Sequence, residues 1–431
     1  MKKTALLKRL LALTLALVTC VSFMASCRSA SSDNKDDSTS TADTTKDPNT
    51  NATPEYDGDF AKPTDSDEKL SEGDYVKVTE VDAKYAKQSG QLMLISATAP
   101  QMSIGGIEHP SENNNEYYRL DASKKNTYPS SVQTLATNTS GVTVRFRTNA
   151  SYITLNATMR NAKTTYQHFT DRGAFGFDVY VGTGTHRVYC GQSLMTSSTT
   201  LKAEKVELPG GYQEVTINLP LYAGVTSLQI GFPMDAVIAP PTERTYGTIC
   251  FYGSSITQGG CASRPGNSYS NIICRMLNAD NMNLGFSGSA KGEQSVAQYI
   301  ASADIAAFVM DYDHNNTVDG LRDTHYAFYE TVRAAHPDIP IIMVSRPVYL
   351  EKQTSEQLER CAIIKNSYNQ AVKNGDENVY FVDGNDFFPK EMPDLFTIDM
   401  THPNDLGMYY MAKAIFAVLE PALEKAYPDA K

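Results

Sequence analysis

Residues 248–259 read Thr248-Ile-Cys-Phe-Tyr-Gly-Ser-Ser-Ile-Thr-Gln-Gly259. A strand-like apolar run ends at Phe251-Tyr252 and turns through Gly253 into Ser254-Ser255. A serine on such a glycine-flanked strand-to-helix turn is exposed and can present its oxygen to a substrate. The turn also aims the next backbone N–H groups at a developing oxyanion. Gly-Ser-Ser is common in ordinary loops, so the stretch gains meaning only from its surroundings.

Downstream, strand-like runs recur at Met282–Leu284, Ala306–Asp311, Pro340–Ser345 and Val379–Val382. Helical stretches lie between and after them, at about Ser268–Asn278, Gly292–Ser302, Val318–His336, Ser355–Gly375 and Pro403–Tyr427. Strand–helix alternation implies right-handed crossovers and a parallel sheet covered on both faces. Residues 246–431 are therefore expected to form an α/β domain of flavodoxin-like, three-layer build. Its ligand site should lie beyond the carboxyl ends of the strands.

Upstream the period is two. Val142–Thr148, Ser151–Ala157, Phe175–Val181, Gln213–Leu219 and Ser227–Phe232 all alternate, separated by turn clusters such as Pro209-Gly210-Gly211. No amphipathic helix of useful length interrupts them. This spacing predicts an all-β, jelly-roll-like sandwich over residues 91–240, with Pro240-Pro241 as the linker.

The chemistry-bearing residues fall at the predicted strand ends. The second strand runs into Asn283-Leu-Gly-Phe-Ser-Gly-Ser289, where Gly288 can bring its N–H close to a ligand. The third runs into Asp311-Tyr-Asp-His-Asn-Asn316, a dense polar cluster with amides able to donate. Before the last helix, Asp399-Met-Thr-His-Pro403 sets a carboxylate three residues from an imidazole, close enough to fix its tautomer and keep it basic. Pro403 is expected to start that helix.

Together these blocks resemble the SGNH (GDSL-type) hydrolase superfamily over essentially all of residues 246–431. Tyr-Gly-Ser-Ser-Ile-Thr resembles its first block, Asn-Leu-Gly-Phe-Ser-Gly its second, Asp-His-Asn its third and Asp399-x-x-His402 its fifth. The resemblance implies two-step ester hydrolysis, with Ser255 as nucleophile, His402 as base and Asp399 orienting the imidazole. It also implies an oxyanion held by the Ser255 and Gly288 N–H groups and the Asn315 amide, with no metal and no organic cofactor. Two departures stand out. Ser254 replaces the usual Asp of the first block, and Tyr-Asp-His-Asn-Asn replaces Gly-x-Asn-Asp in the third. Asn315 is preferred to Asn316 and Asp313 because a carboxylate would repel an oxyanion. Gly176-Phe-Asp-Val-Tyr180 resembles the Gly-x-Asp-Leu-Tyr signature of a β-sandwich that precedes some SGNH esterase domains. Asp178 and Tyr180 are read as structural, with a place at the domain junction as the alternative. Superfamily members with such a companion include carbohydrate esterases, which implies acetylated poly- or oligosaccharide as substrate.

At the N-terminus, Lys2, Lys3, Lys8 and Arg9 precede the apolar run Leu10–Ala25, which is too short for a comfortable membrane span but suits a signal peptide. Met24-Ala-Ser-Cys27 resembles a bacterial lipobox, so residues 1–27 are read as a lipoprotein signal with Cys27 as the lipidated residue. Plain cleavage near Ala25 or Ser26, and lipidation at Cys20, are the competing readings. Residues 28–75 follow as an acidic Ser/Thr/Asp-rich spacer, with 11 acids against 4 bases over 31–70, too poor in apolar residues to order itself. The expectation is an exported protein at a bacterial cell surface, touching the membrane only through its lipid. A formal net charge of −11 and no basic cluster beyond the signal exclude nucleic acid as a partner. Five cysteines remain beyond Cys27, an odd number, so disulfides are not the main support. With no Trp and 25 Tyr, any sugar-stacking face must be Tyr or Phe.

Three rivals remain open. Asp311, Asp313, His314, Asp399 and His402 include metal-ligand types, but a metal site leaves the serine and glycine blocks unexplained. A non-catalytic glycan-binding lipoprotein would usually have lost the nucleophile or base, and both are present. A lipid esterase is the runner-up and would call for a broad apolar lid, which no insertion between the blocks supplies. Elsewhere, His325 and His336 are expected at the surface or rim, and the Met residues of 392–411 in packing. Arg346 is read as a structural ion-pair partner, with a place lining the pocket as the alternative.

Overall fold

The computed structural model describes residues 74–430 apart from 109–116, 163, 165, 195–198 and 350–352. The signal segment, Cys27 and nearly all of the spacer lie outside the described residues.

Alternation upstream folds into two antiparallel sheets. One runs Ala86–Ser89, Leu92–Ser96, Val225–Pro233, Tyr152–Met159, Thr200–Glu207. The other runs Val76–Lys77, Val237–Ala239, Thr143–Thr148, Gln213–Asn218, Gly176–Val181, Val188–Leu194, with Ser103–Gly105 also paired to Thr143–Thr148. Inward residues of both sheets fill the gap, and Phe146 meets Phe232 edge to face at 5.3 Å. Val188–Leu194 is an edge strand whose Val188 and Tyr189 stay exposed, which is why its sequence carries no clean alternation.

Downstream, Thr248–Gly253, Asp280–Gly285, Ala307–Asp311, Ile341–Val344 and Val379–Val382 form one parallel sheet, in the spatial order second, first, third, fourth, fifth. Successive side chains go to opposite cores. Ile249, Phe251, Val309 and Ile342 join the core that continues into the sandwich. Cys250, Tyr252, Phe308 and Met310 join a second core on the other face. Burial on both faces is what makes these strands uninterrupted apolar runs. The reversal of strand order at the first strand opens a crevice beyond its carboxyl end, and Ser255 and the Asp313–Asn315 turn lie there.

Two expectations are corrected. The last helix is Asp405–Ala426, capped by Asn404, whose side chain accepts from the Gly407 N–H at 3.1 Å. Pro403 instead bridges Thr397, closing the loop that carries Asp399 and His402. His325 is not at the rim: it is fully buried and stacks on Tyr312, and burial pushes its pKa down to about 3. The five described cysteines are all free.

The two regions are locked together by polar groups. Asp178 accepts from Asn218 within the sandwich (2.7 Å), and from the Gly266 N–H (2.8 Å) and Arg264 (3.0 Å) of the α/β domain. Tyr180 hydrogen-bonds the same arginine. The Gly-x-Asp-x-Tyr motif is therefore a clamp at the domain junction. Arg119, fully buried in the segment that crosses to the second strand, donates to the carbonyls of Leu135, Asn138, Asn283 and Gly285 at 2.6–3.0 Å and lies over the Phe286 ring. Arg119→Met leaves the buried carbonyls of Asn283 and Gly285 unpaired and removes a partner from Asn138 O, while Leu135 O keeps the Asn138 N–H at 3.0 Å. At roughly 1–3 kcal/mol for each, urea unfolding should show a loss of several kcal/mol. A loss under about 1 kcal/mol would mean that these carbonyls have other partners within reach.

Candidate active site

The first strand ends where Gly253 must be glycine, since a Cβ there would sit 2.1 Å from the Asp311 carbonyl oxygen. A one-turn helix, Ser255–Gln258, follows at once. Ser254 caps it, its hydroxyl accepting from the Ile256 N–H at 3.2 Å, which gives the serine in place of the family Asp a local structural task. Ser255 is thereby turned into the crevice.

His402 reaches it from the loop before the last helix. His402 Nε2 lies 2.9 Å from Ser255 Oγ, and Nδ1 lies 2.8 Å from Asp399 Oδ2. Asp399 Oδ1 accepts from the backbone N–H of His402 (2.8 Å) and of Thr401 (3.1 Å). Burial alone would raise the Asp399 pKa, but these hydrogen bonds and the His402 charge hold it below the ordinary carboxylate value. With Nδ1–H directed to a carboxylate, Nε2 faces the serine as an acceptor. Three residues separated by up to 147 positions thus form one hydrogen-bonded series.

Gly288 and Asn315 line the same cleft, of about 810 Å³. Gly288 has φ +68° and nothing within 4 Å of where a Cβ would sit, so its backbone is open to a ligand. The Asn315 amide donates to the Ser289 carbonyl and, at 3.5 Å, to the Phe286 carbonyl, which ties the third-strand turn to the Gly288 loop. Asn316 points away, donating to Lys291 O at 2.8 Å. Gln258 fixes the same loop by accepting from the Ser287 N–H at 2.9 Å.

Part of the wall comes from the sandwich and escapes sequence reasoning. Tyr166, His168, Phe169 and Tyr222 line the cleft, the His168 ring lies 5.1 Å from that of His402, and Tyr222 donates to the Ser255 carbonyl at 3.1 Å. The one available signal is an aromatic-rich stretch, Tyr166–Phe169, falling outside the strand alternation.

The residues of the rival metal site do not gather. Asp311 lies beneath the nucleophile helix, accepting from Thr257 (2.9 Å) and Tyr269 (2.8 Å), while Asp399 is committed to His402. His314 is buried and is held neutral by desolvation and by the charges of Arg346, His402 and Arg360. Among the described residues, ligand-type atoms converge only at His168, Cys261 and His402, where burial pushes the Cys261 thiol up to about 12. The expectation that Met392–Met411 methionines pack holds for Met408 and Met411 alone. Met392 and Met400 are exposed, together with Leu395, Ile398 and Leu406.

Residues 247–420 match the model of the GDSL-like lipase/acylhydrolase family. These residues form a GDSL-like lipase/acylhydrolase domain. Residues 95–238 match the N-terminus of SGNH-hydrolase-type esterases, the region holding Asp178 and Tyr180. A structure described as a GDSL-like lipase from Bacteroides ovatus is 28% identical, covering 78% of this chain and 98% of its own, with a TM-score of 0.69. A salicylyl-acyltransferase of a tetracycline biosynthetic pathway (17% identical, 77% and 99% covered, TM-score 0.62) shares the fold. So does a family two carbohydrate esterase from Clostridium thermocellum in complex with cellohexaose (17%, 66% and 94%, 0.51). No curated protein matches.

Burial raises the Asp311 carboxyl from 3.8 to about 7 against the hydrogen bonds it accepts. Below about pH 4 it is protonated in folded and unfolded chains alike. Between about 4 and 7 only the unfolded chain ionises it, so this group removes stability as pH rises through that window and no further beyond it. Melting curves should show Asp311→Asn gaining on the wild type between those pH values. A difference in Tm that stays constant from pH 4 to 7 would contradict this.

Proposed function

We propose that the protein is an exported serine esterase that removes short acyl groups, acetyl foremost, from poly- or oligosaccharides. The observation that carries this reading is the series Ser255–His402–Asp399, opening into a cleft with both aromatic and small hydroxyl- or amide-bearing walls. His402 takes the Ser255 proton as Oγ bonds to the acyl carbon. The ester C–O bond then breaks and the proton passes to the departing sugar hydroxyl. Water, deprotonated by the same imidazole, releases the acid and restores Ser255. The oxyanion of each step lies among the Ser255 and Gly288 N–H groups and the Asn315 amide. Tyr166, Phe169 and Tyr222 from the sandwich supply the faces on which a sugar ring can rest. Export with a lipid on Cys27 and a polar spacer would hold the enzyme where soluble glycan arrives, and the acidic spacer keeps it off anionic headgroups.

A lipid esterase is the second reading. It is favoured by the five apolar side chains exposed between Met392 and Leu406, on the segment that carries Asp399 and His402.

Ser255→Ala should fold normally and lose turnover by on the order of 10⁶, and His402→Ala nearly as much. Asn315→Ala should lower kcat by ~10²–10³ with little change in KM. Loss of that size in Asn316→Ala instead would move the oxyanion assignment by one residue. The substrate is tested by kcat/KM against acyl length and by acetate release from acetylated xylan, mannan and pectin oligosaccharides. A rate that climbs steadily to octanoyl esters, with no acetate from any glycan, would establish the lipid esterase in its place.

A further inference from the structure

Building on the carbohydrate-esterase reading, we infer that the sugar substrate bears a carboxylate beside the scissile ester, and that Arg346 is the residue that binds it. Arg346 follows the fourth strand, Ile341–Val344, and so stands at the carboxyl end of the sheet. It lines the same cleft as Ser255, Gly288, Asn315 and His402.

What distinguishes Arg346 is its lack of a partner. The other well-buried arginines are engaged: Arg145 with Glu214, Arg244 with Asp280, Arg264 with Asp178, Arg333 with Asp376, Arg360 with Glu356, Arg119 with four carbonyls, and Arg187 with the Asn278 amide oxygen, although the Arg187 Nε is also unpaired. Among the described residues no carboxylate lies within ion-pair distance of the Arg346 guanidinium, and its Nε is buried with no acceptor. Asp313 is the nearest candidate and feels the Arg346 charge, which draws its burial-raised pKa down, yet it takes the backbone N–H of Arg346 at 3.3 Å and forms no hydrogen bond with the guanidinium. The expected structural ion pair is therefore not formed.

The cleft repeats the pattern. Its described lining contains His168, His314, Arg346 and His402 and no Asp or Glu, in a chain whose net charge is −11. Long-range charge works against an anionic substrate, so recognition has to be local, at a guanidinium that meets no Asp or Glu in the cleft lining. A planar guanidinium with an unused edge matches a carboxylate in a two-pronged hydrogen-bonded pair, a geometry that a lysine cannot reproduce. An O-acetylated uronic acid residue meets these conditions: it carries an acyl ester for Ser255 and a carboxylate for Arg346.

The probes are an O-acetylated methyl glucuronide and the same compound with its carboxylate converted to the carboxamide. Wild type should favour the carboxylate by about 10–100-fold in kcat/KM, the range of one well-placed charge-assisted pair. Arg346→Gln should bring the ratio near one and Arg346→Lys should restore part of it. If Arg346 only supports the fold, both substrates lose alike and the ratio stays, which overturns the inference. Should Arg346→Gln not fold, glucuronate must inhibit wild-type cleavage of 4-nitrophenyl acetate competitively and more strongly than glucuronamide. Equal inhibition overturns the inference, as does faster cleavage of a 6-sulfated sugar acetate than of the uronate. Ser255-dependent cleavage of 4-nitrophenyl acetate with equal rates on the two sugars removes the carboxylate and leaves the esterase. Absence of Ser255-dependent cleavage removes both.

Discussion

A single buried guanidinium holds the molecule in register. Arg119 has no carboxylate partner; its charge is met by four main-chain carbonyls, two from its own segment and two from the end of the second α/β strand. Burial without a counter-charge lowers its pKa to about 9, and the carbonyl dipoles are what make its position tolerable. Because Asn283 and Gly285 carry the strand into the Gly288 loop, the position of that loop depends on a residue 160-odd positions earlier in the chain. The segment around it packs Tyr118, Leu120, Tyr128 and Val132 into the core on one face of the parallel sheet.

On the opposite face the sandwich and the sheet share one core, and the polar clamp of Asp178, Tyr180, Arg264 and Gly266 fixes their angle. The domains are therefore not independent modules joined by the Pro240-Pro241 linker. Tyr222 hydrogen-bonds the main chain of Ser255 and His168 lies against His402, so the sandwich forms part of the cleft itself. Gln258 completes the arrangement, donating to Leu221 O of the sandwich at 3.0 Å and accepting from Ser287 N–H of the loop opposite the serine.

Periodicity read the architecture correctly because it reports burial. Residues buried on both faces gave continuous apolar runs at Ala307–Asp311 and Ile341–Val344, whereas Thr143–Thr148, also buried on both faces, alternates because Val144 and Phe146 enter the apolar core while Arg145 on the other face pairs with buried Glu214. It failed where burial and hydropathy part company. His325 carries a polar ring yet sits wholly inside, against Tyr312, while Met392 and Met400 are apolar yet exposed, both in left-handed backbone conformations that turn the loop. Pro403 resembles a helix start by composition, but the Thr397 bridge claims it first.

By itself the sequence determined the α/β and all-β classes, and it brought Ser255, Gly288, Asn315, Asp399 and His402 to notice. Each lies where a strand or loop ends, and strand ends are visible as local changes of period. The tertiary structure alone decided that Asn315 rather than Asn316 faces the cleft, that Asp178 clamps two domains, and that Tyr222 and His168 reach the serine and histidine. It also decided that the Arg346 guanidinium forms no close ion pair, although the Asp313 carboxylate lies near its backbone. These are matters of which long-range neighbours meet, and hydrogen-bond partners 33 to 88 residues apart leave no mark on a local pattern.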